Sequence, residues 1–202
     1  AATAVHPELL VRPRAGAALD DVLRGDPATR ARQVRAVGDA LVEDPRGGPS
    51  AAVDGDRATS WYAPDVPSPS LELRLPGRQL VGSLRLWGPR SAAPAAPAVV
   101  TVDTGVQRTR VDLDALPREE DGSVVVPLPP DQTDRVTVRV DAHADVRTPA
   151  GQAVPTGLAE VWMQDAAGAR IGALPAANDE PVRLTCQDGP RVTVDGRTVR
   201  TR

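Results

Sequence analysis

The feature that most constrains the fold of this chain is a repeated alternation of apolar and polar residues. The clearest run covers residues 136–140 (VTVRV), and similar runs lie at 71–75, 84–86, 100–102, 107–113 and 124–128. A period of two residues places neighbouring side chains on opposite faces of a β-strand, so that one face is buried and the other is solvated. Half-buried strands of this kind are typical of antiparallel sheets, and two such sheets bury their apolar faces against each other.

Proline and glycine interrupt these runs throughout the chain. The 202 residues include 21 Pro and 17 Gly, so regular elements must be short and helices few. The chain contains no Phe, and a core must therefore be built mainly from Val, Leu and Ala. The length suits one large domain, or a domain with a substantial appendage. Together these features predict an all-β sandwich or barrel.

Residues 158–164 (LAEVWMQ) predict one further strand late in the chain. Alternation places Val161 and Met163 on one face and Glu160 and Trp162 on the other. This strand therefore carries a carboxylate and an aromatic side chain on the same side.

The two ends of the chain carry different signals. Residues 192–199 surround an Asp-Gly pair, which is a strong signal for a hairpin. Residues 33–37 fit either a strand or part of a helix that begins at Asp26-Pro27. The sequence alone leaves these two alternatives open.

The charges and apolar segments exclude several classes of protein. The 24 basic residues are all arginine, and they are scattered among 27 acidic residues for a net charge of −3. A nucleic-acid partner is not expected, because phosphate binding needs a clustered positive face. No run of about 18 apolar residues predicts a membrane span. Arginine without lysine is typical of a GC-rich genome, such as that of an actinobacterium.

Residues suited to catalysis are few. The chain has two histidines, His6 and His143, and one cysteine, Cys186, so an internal disulfide is not possible. No spacing among the acidic residues selects a pair suited to glycoside hydrolysis, and no glycine-rich phosphate loop is present. We therefore expect no catalytic residues in this chain.

An acidic loop at residues 51–61 (AAVDGDRATSW) is the main candidate for a functional motif. Asp54 and Asp56 flank Gly55, and Thr59 adds a hydroxyl group. Hard cations such as calcium take about six to eight oxygen ligands from carboxylates, hydroxyls and carbonyls. This loop supplies about half of that number. Taken alone, it fits either half of a metal site or an ordinary turn between strands.

The pattern A-x-D-G-D-x-x-T-x-W, followed by the run at 71–75, resembles the discoidin-like modules. These are also called coagulation factor 5/8 type C domains, and they include many bacterial carbohydrate-binding modules. The resemblance covers about residues 33–164. It implies a galactose-binding-like jelly-roll β-sandwich of about eight strands in two antiparallel sheets. The expected parts are an N-terminal extension of uncertain fold (1–31), the sandwich (32–165) and a C-terminal β extension packed on it (166–202).

In the discoidin-like family a structural calcium ion lies beside this loop. The resemblance therefore implies a calcium site that joins the first and last strands and performs no chemistry. The matching positions are the side chains of Asp54, Asp56, Thr59 and Glu160 and the carbonyl groups of Ala51 and Ala159.

A narrower resemblance comes from residues 157–161, 184–190 and 192–197. These are similar to the end of a module in actinobacterial α-(1→3)-arabinofuranosyltransferases, large membrane enzymes that build cell-wall arabinan. The resemblance implies a non-catalytic module outside the cytoplasm that binds arabinan-like polysaccharide beside the rest of a membrane-bound glycosyltransferase. The alternative is a structural or protein-interaction module without sugar binding, which the scarcity of aromatic residues favours.

The aromatic residues divide between the predicted core and a predicted sugar site. In the family pattern the tryptophan after the loop, Trp61, packs in the core. Tyr62 is then expected to point the other way, if the chain is extended there. Trp87 ends a strand, where packing and sugar-binding roles are both open. The residues predicted to bind a sugar are Tyr62, Trp87, Arg90 and Trp162. The remaining arginines of the strands, Arg85, Arg108 and Arg110, are expected on a solvated face.

Overall fold

The computed structural model describes residues 31–91, 93–143, 146–172, 191–194 and 197–200. Strands dominate this part of the chain, where α-helix is absent and two short 3-10 helices lie at Pro45–Gly47 and Pro49–Ala52. The described helices include none long and apolar enough to cross a membrane. The predicted N-terminal extension and Cys186 lie outside the described residues, apart from residue 31.

The described residues form eight strands and a C-terminal hairpin, all paired antiparallel. The strands are β1 (Arg35–Val37), β2 (Trp61–Tyr62), β3 (Ser70–Trp87), β4 (Pro97–Asp103), β5 (Arg108–Asp112), β6 (Val124–His143), β7 (Gly157–Leu158), β8 (Glu160–Gln164), β9 (Arg191–Val194) and β10 (Arg197–Arg200).

Two long strands, β3 and β6, form the centre of the molecule. Each joins two of the runs that the sequence presents separately, and their pairing shifts register between Arg74 and Gln79 and again between Val81 and Ser83. The first half of β3 pairs with β1 on one side and with the end of β6 on the other. The sheet then continues by pairing, from β6 to β4 and from β4 to β5. The second half of β3 lies between β8 and the start of β6. The register shifts thus divide the ladder into two layers.

Apolar side chains from both halves of the ladder enter one core. Leu71 and Leu73 come from the first half of β3, and Leu84 and Leu86 come from the second. Burying each leucine side chain contributes roughly 1.5–3 kcal/mol, which is the main force that holds the two layers together. The predicted all-β sandwich is confirmed.

Proline and glycine lie where the long strands change register. Pro76 and Gly77 fall within the first shift of β3, and Pro129 and Pro130 fall in the part of β6 opposite the second shift. Proline removes a ladder donor, so it is tolerated where pairing is interrupted. Gly82 allows the turn after β8 to approach closely, because a Cβ there would lie 2.8 Å from the Cα atom of Ala166. Proline and glycine usually end strands. In this chain they lie where β3 and β6 pass from one layer into the other.

Of three local predictions, for the late strand, for residues 33–37 and for the C-terminal hairpin, the first is wrong and the other two are confirmed. The prediction of one strand over 158–164 is wrong, because the chain divides into β7, which pairs with β2, and β8, which pairs with β3. The strand alternative for residues 33–37 is confirmed by β1. The hairpin around the Asp-Gly pair is confirmed by β9 and β10. Whether that hairpin packs on the sandwich stays a prediction.

Candidate functional site

The acidic loop leaves the second 3-10 helix and enters β2 through two side-chain-capped turns. Oδ1 of Asp54 accepts a hydrogen bond from the Asp56 amide at 2.8 Å, and Oδ1 of Asp56 accepts one from the Ala58 amide at 2.9 Å. Aspartate forms such turns readily because its short side chain reaches the backbone two residues on. Gly55 has a φ of 83°, which favours glycine at this position. The local sequence therefore specifies the shape of the loop.

Three acceptor oxygens converge on the hydroxyl group of Thr59. Its Oγ1 lies 2.7 Å from Oδ2 of Asp54, 2.8 Å from the carbonyl oxygen of Asp56 and 3.5 Å from the carbonyl oxygen of Ala51. A hydroxyl group carries one proton and can donate to one of these acceptors at a time. The loop thus presents more acceptor oxygens than donors, which is the arrangement that a hard cation requires.

Glu160 brings a second carboxylate to this loop from the start of β8. It is completely buried, and its Oε2 accepts a hydrogen bond from the Gly55 amide at 3.0 Å. Its Oε1 accepts one from Nε1 of Trp162 at 2.9 Å and lies 3.9 Å from Nη2 of Arg170. The structure therefore brings together the acidic loop and the distant carboxylate, as the sequence resemblance implied.

Both carboxylates have a raised pKa, and burial is the main cause in each case. Burial, with a smaller contribution from Asp56, raises the pKa of Asp54 to about 6. Burial, reinforced by the charge of Asp54, raises the pKa of Glu160 to about 8. The Arg170 guanidinium opposes this rise without cancelling it. A cation near both carboxylates would favour their ionised forms.

The structure places Asp56 differently from the other predicted metal ligands. Its carboxylate caps the turn at the Ala58 amide, while its carbonyl group faces Thr59. Among the described residues, no cluster of three or more His, Cys, Asp or Glu side chains is arranged so that it could hold a metal ion. A cation here would therefore depend on two acidic side chains, Asp54 and Glu160, together with hydroxyl and carbonyl oxygens. Ala159 lies between β7 and β8, where its amide donates to the Trp87 carbonyl at 3.0 Å.

Two of the predicted sugar-binding residues form a cluster with three arginines. The rings of Trp87 and Trp162 meet edge to face, with centroids 4.7 Å apart. The guanidinium groups of Arg57 and Arg85 lie over the ring of Trp87 at 5.3 and 5.6 Å, and that of Arg170 lies over the ring of Trp162 at 4.3 Å. Trp87 is only 3% exposed, so it has no open face for a sugar ring. Trp162 is half-buried.

The other predicted aromatic positions are separate from this cluster. Trp61 is completely buried, and its Nε1 donates to the Asp39 carbonyl at 2.8 Å, so its predicted core position is confirmed. Tyr62 is half-buried and donates its hydroxyl hydrogen bond to the Ala93 carbonyl at 2.9 Å. Arg90 is exposed in the loop after β3.

Sequence reasoning missed two of the clustered arginines, Arg57 and Arg170. Arg57 lies inside the acidic loop, where nothing in the local pattern indicates an aromatic neighbour. Arg170 follows the tight turn around Gly168 and pairs in a bridge with Gln164 of β8. That turn is visible in the sequence as Ala167-Gly168, and it would have placed Arg170 beside β8.

The antiparallel sandwich carries an oxygen-lined loop, which Glu160 at the start of β8 joins, and together they define an all-β module with a candidate cation site. Residues 31–175 match the family described as the third carbohydrate-binding module of arabinofuranosyltransferase D. The chain belongs to this family.

Three relatives show the extent of the similarity. The chain is 36% identical over 212 residues to an α-(1→3)-arabinofuranosyltransferase of Mycolicibacterium smegmatis and 38% identical over 210 residues to one of Mycobacterium tuberculosis. Each alignment covers 98% of this chain and 14% of the relative, so the chain spans a small part of the length of these proteins. The cryo-EM structure of arabinofuranosyltransferase AftD from mycobacteria matches 93% of the chain and 14% of its own length, with a TM-score of 0.74 and 32% identity.

Proposed function

We propose that this chain is a non-catalytic, calcium-stabilised carbohydrate-binding module that holds arabinan-type polysaccharide for a cell-wall arabinofuranosyltransferase outside the cytoplasm. The family match over residues 31–175 is the observation that carries the proposal. A module tethered to an enzyme raises the local concentration of its polysaccharide, and modest affinity is enough for this. The remainder of the transferase is accordingly the expected partner of the module.

The calcium part of the proposal is supported by the surplus of oxygen acceptors around Thr59. Asp54 and Glu160 would supply the charged ligands, and the carbonyl groups of Ala51 and Asp56 would supply neutral ones. The ion would contribute positive charge and a link between the acidic loop and β8. Titration of calcium into the chelator-treated chain is expected to give one binding site, which Asp54→Asn weakens strongly. Equal calcium binding by the wild type and this variant would contradict the proposed ligand set.

The carbohydrate part is tested by calorimetric titration of the full chain with α-arabinofuranosyl oligosaccharides. We expect a dissociation constant on the order of millimolar or tighter, which suffices for a tethered module. A matched titration with xylan oligosaccharides measures selectivity between pentose polymers. Failure to bind any cell-wall glycan would contradict this function.

A second function, a structural or protein-interaction module, is favoured by the burial of the aromatic side chains. Trp61 and Trp87 are 0% and 3% exposed, and rings of this type are what many sugar sites present to solvent. Binding to the separately produced remainder of a homologous arabinofuranosyltransferase, without binding to any glycan, would support this alternative.

A further inference from the structure

A cleft of about 410 Å³ lies on a part of the sandwich separate from the tryptophan cluster. Its walls come from the loop at 64–69, the end of β6 at 140–143, the segment 153–156 and Leu41. The volume lies within the range of about 300–1,000 Å³ that is usual for small-ligand sites.

The walls of the cleft are held in place by the backbone and by proline. The loop is fixed at both ends, because the Ala63 amide donates to the Thr156 carbonyl at 2.9 Å and the Val140 amide donates to the Pro69 carbonyl at 2.8 Å. The prolines that line the cleft are Pro64, Pro67, Pro69 and Pro155. A wall that is already rigid loses little conformational entropy when a ligand binds.

One residue of the loop has a strained backbone. Ser68 has a φ of 54°, the left-handed region that residues other than glycine rarely adopt. No other non-glycine residue in the described ranges has a positive φ. Strain of this kind persists where the surrounding structure enforces it, and it is concentrated at ligand sites.

The cleft also presents apolar surface to solvent. Val66 is 52% exposed and Leu41 is 47% exposed. Both belong to the exposed large apolar side chains of the described residues, and both line this cleft. No Phe, Tyr or Trp ring is among the described residues that line it. Its apolar contacts would come from small aliphatic groups and from proline rings.

The charges in the cleft determine the class of ligand. Asp65 and Asp141 line it, and Asp141 is bound by Arg139 and Arg110 from outside the lining, while His143 is exposed at the end of β6. The lining residues in the described ranges include no arginine, so an acidic glycan would meet two carboxylates and no guanidinium group. Neutral sugar hydroxyl groups, in contrast, can donate to the Asp65 carboxylate and to loop carbonyl groups.

We infer that the cleft binds a neutral pentofuranosyl unit of a polysaccharide chain, an inference that rests on the proposed carbohydrate-binding function. A puckered five-membered ring has no broad flat face that requires an aromatic platform, and its small C–H surfaces fit Val66 and the prolines. Asp65 orients the ring by accepting hydrogen bonds from its hydroxyl groups.

The test uses the full chain and an α-(1→5)-linked arabinofuranosyl hexasaccharide as the probe. Ala153 is exposed on the cleft wall, so Ala153→Trp fills the cleft without entering the core. We expect this change to weaken binding by about tenfold or more, the equivalent of at least one large lost contact. Asp65→Asn is expected to weaken binding by a smaller factor. Ala167→Trp, at an exposed alanine outside the cleft, is the matched control and is expected to bind like the wild type.

The outcomes separate this inference from the proposed function. Hexasaccharide binding that Ala153→Trp and Asp65→Asn leave unchanged would overturn the cleft assignment while the carbohydrate-binding function stands. Absence of binding by the wild type to every glycan would overturn both. Tighter binding of an oligogalacturonate than of the hexasaccharide would overturn the neutral class of ligand. Chemical shift mapping on the wild type gives an independent readout, in which the largest changes are expected at Val66 and Ser68.

Discussion

Two acidic clusters of this module use the same residue types in opposite ways. On the solvated face of β4, β5 and β6, the Asp141 carboxylate accepts hydrogen bonds from Nε of Arg139 at 2.7 Å and from Nε of Arg110 at 3.3 Å. Burial raises the pKa of Asp141, but the hydrogen bonds from Thr101 and Arg139 outweigh it and hold this pKa below its ordinary value. Beside the acidic loop, Glu160 has one arginine at 3.9 Å, and its pKa rises to about 8.

The difference lies in how each cluster balances charge. The face of β4, β5 and β6 carries its own counter-ions, as expected for the arginines predicted to lie on a solvated face. Arg85 differs from that expectation, because it is half-buried and contacts Ser123 and the ring of Trp87. Beside the acidic loop, the half-buried Asp54 and the buried Glu160 of β8 are accompanied by a surplus of oxygen acceptors. An added cation would therefore stabilise the loop region and leave the strand face unchanged.

The largest expected effect is the loss of Glu160. Glu160→Ala removes the acceptor for the Gly55 amide and for Nε1 of Trp162, and it leaves Arg170 without its carboxylate. Breaking a buried charged network in this way costs about 3 kcal/mol or more of unfolding free energy. Urea unfolding of the wild type and of this variant in the presence of calcium would measure the loss of unfolding free energy. Glu72→Ala, which removes the exposed ion pair with Arg74, is the matched control and should cost less than about 1 kcal/mol. Similar losses in both variants would contradict the comparison.

Calcium removal is expected to have the next largest effect. A ligand that binds only the folded state at about a hundred times its dissociation constant stabilises it by about 2.7 kcal/mol. Excess chelator should therefore lower the melting temperature of the wild type in a calorimetric scan. Asp54→Asn should melt at one temperature with and without calcium, and Asp103→Asn, on the strand face, should respond like the wild type. An unchanged wild-type melting temperature in chelator would count against the metal site.

The two clusters are expected to respond to pH in opposite directions. The pKa values of Asp54 and Glu160 rise from 3.8 to about 6 and from 4.5 to about 8 on folding, so the folded state binds more protons between these limits. In chelator, the free energy of unfolding should therefore fall as the pH rises from 5 to 8, because the folded state loses its additional protons over this range. The double variant Asp54→Asn/Glu160→Gln should show a flat profile across this range. A wild-type profile that rises with pH in chelator would be incompatible with the buried carboxylates.

The pKa of Asp141 is lowered on folding, so the sign reverses. Its contribution is present above its ordinary pKa of 3.8 and is lost as the pH falls below that value. Asp141→Asn should therefore reduce the loss of stability in acid, measured by circular dichroism melts between pH 5 and pH 2, while leaving the slope between pH 5 and pH 8 as it is in the wild type.

The smallest expected effect comes from the exposed ion pair of Arg108 and Asp103. The Nη2 atom of Arg108 lies 2.7 Å from Oδ2 of Asp103, but the arginine side chain is 67% exposed. Solvent screening reduces such pairs to about 0.5 kcal/mol or less. Arg108→Ala should leave the melting temperature almost unchanged at moderate salt. A loss as large as that for Glu160→Ala would mean that charge balance is not what separates the two clusters.

Much of the fold was predictable because its signals are local. Alternation at residues 136–140 needs only a period of two, and the Asp-Gly hairpin at 192–199 needs only neighbouring residues. The joining of the runs into β3 and β6 was not predictable in the same way, since proline and glycine usually mark ends of strands. Here they lie at register shifts that both strands share, and such a match depends on pairing across the sheet.

The candidate site was predictable in part, and for a different reason. The sequence of the acidic loop determines its two aspartate-capped turns, and family resemblance pointed to Glu160. The sequence did not indicate that Trp87 would be buried or that Arg170 would lie over Trp162.

The sequence by itself determined that this chain forms half-buried antiparallel strands, with a tight acidic turn before them, because both properties depend on residues within a few positions. Tertiary structure alone decided which of the many acidic residues is left short of counter-ions. That outcome depends on β8 pairing with β3, which buries Glu160 against a loop that lies 105 residues away in the chain. The number of neighbouring arginines and their distances, and not residue type, separate Glu160 from Asp141.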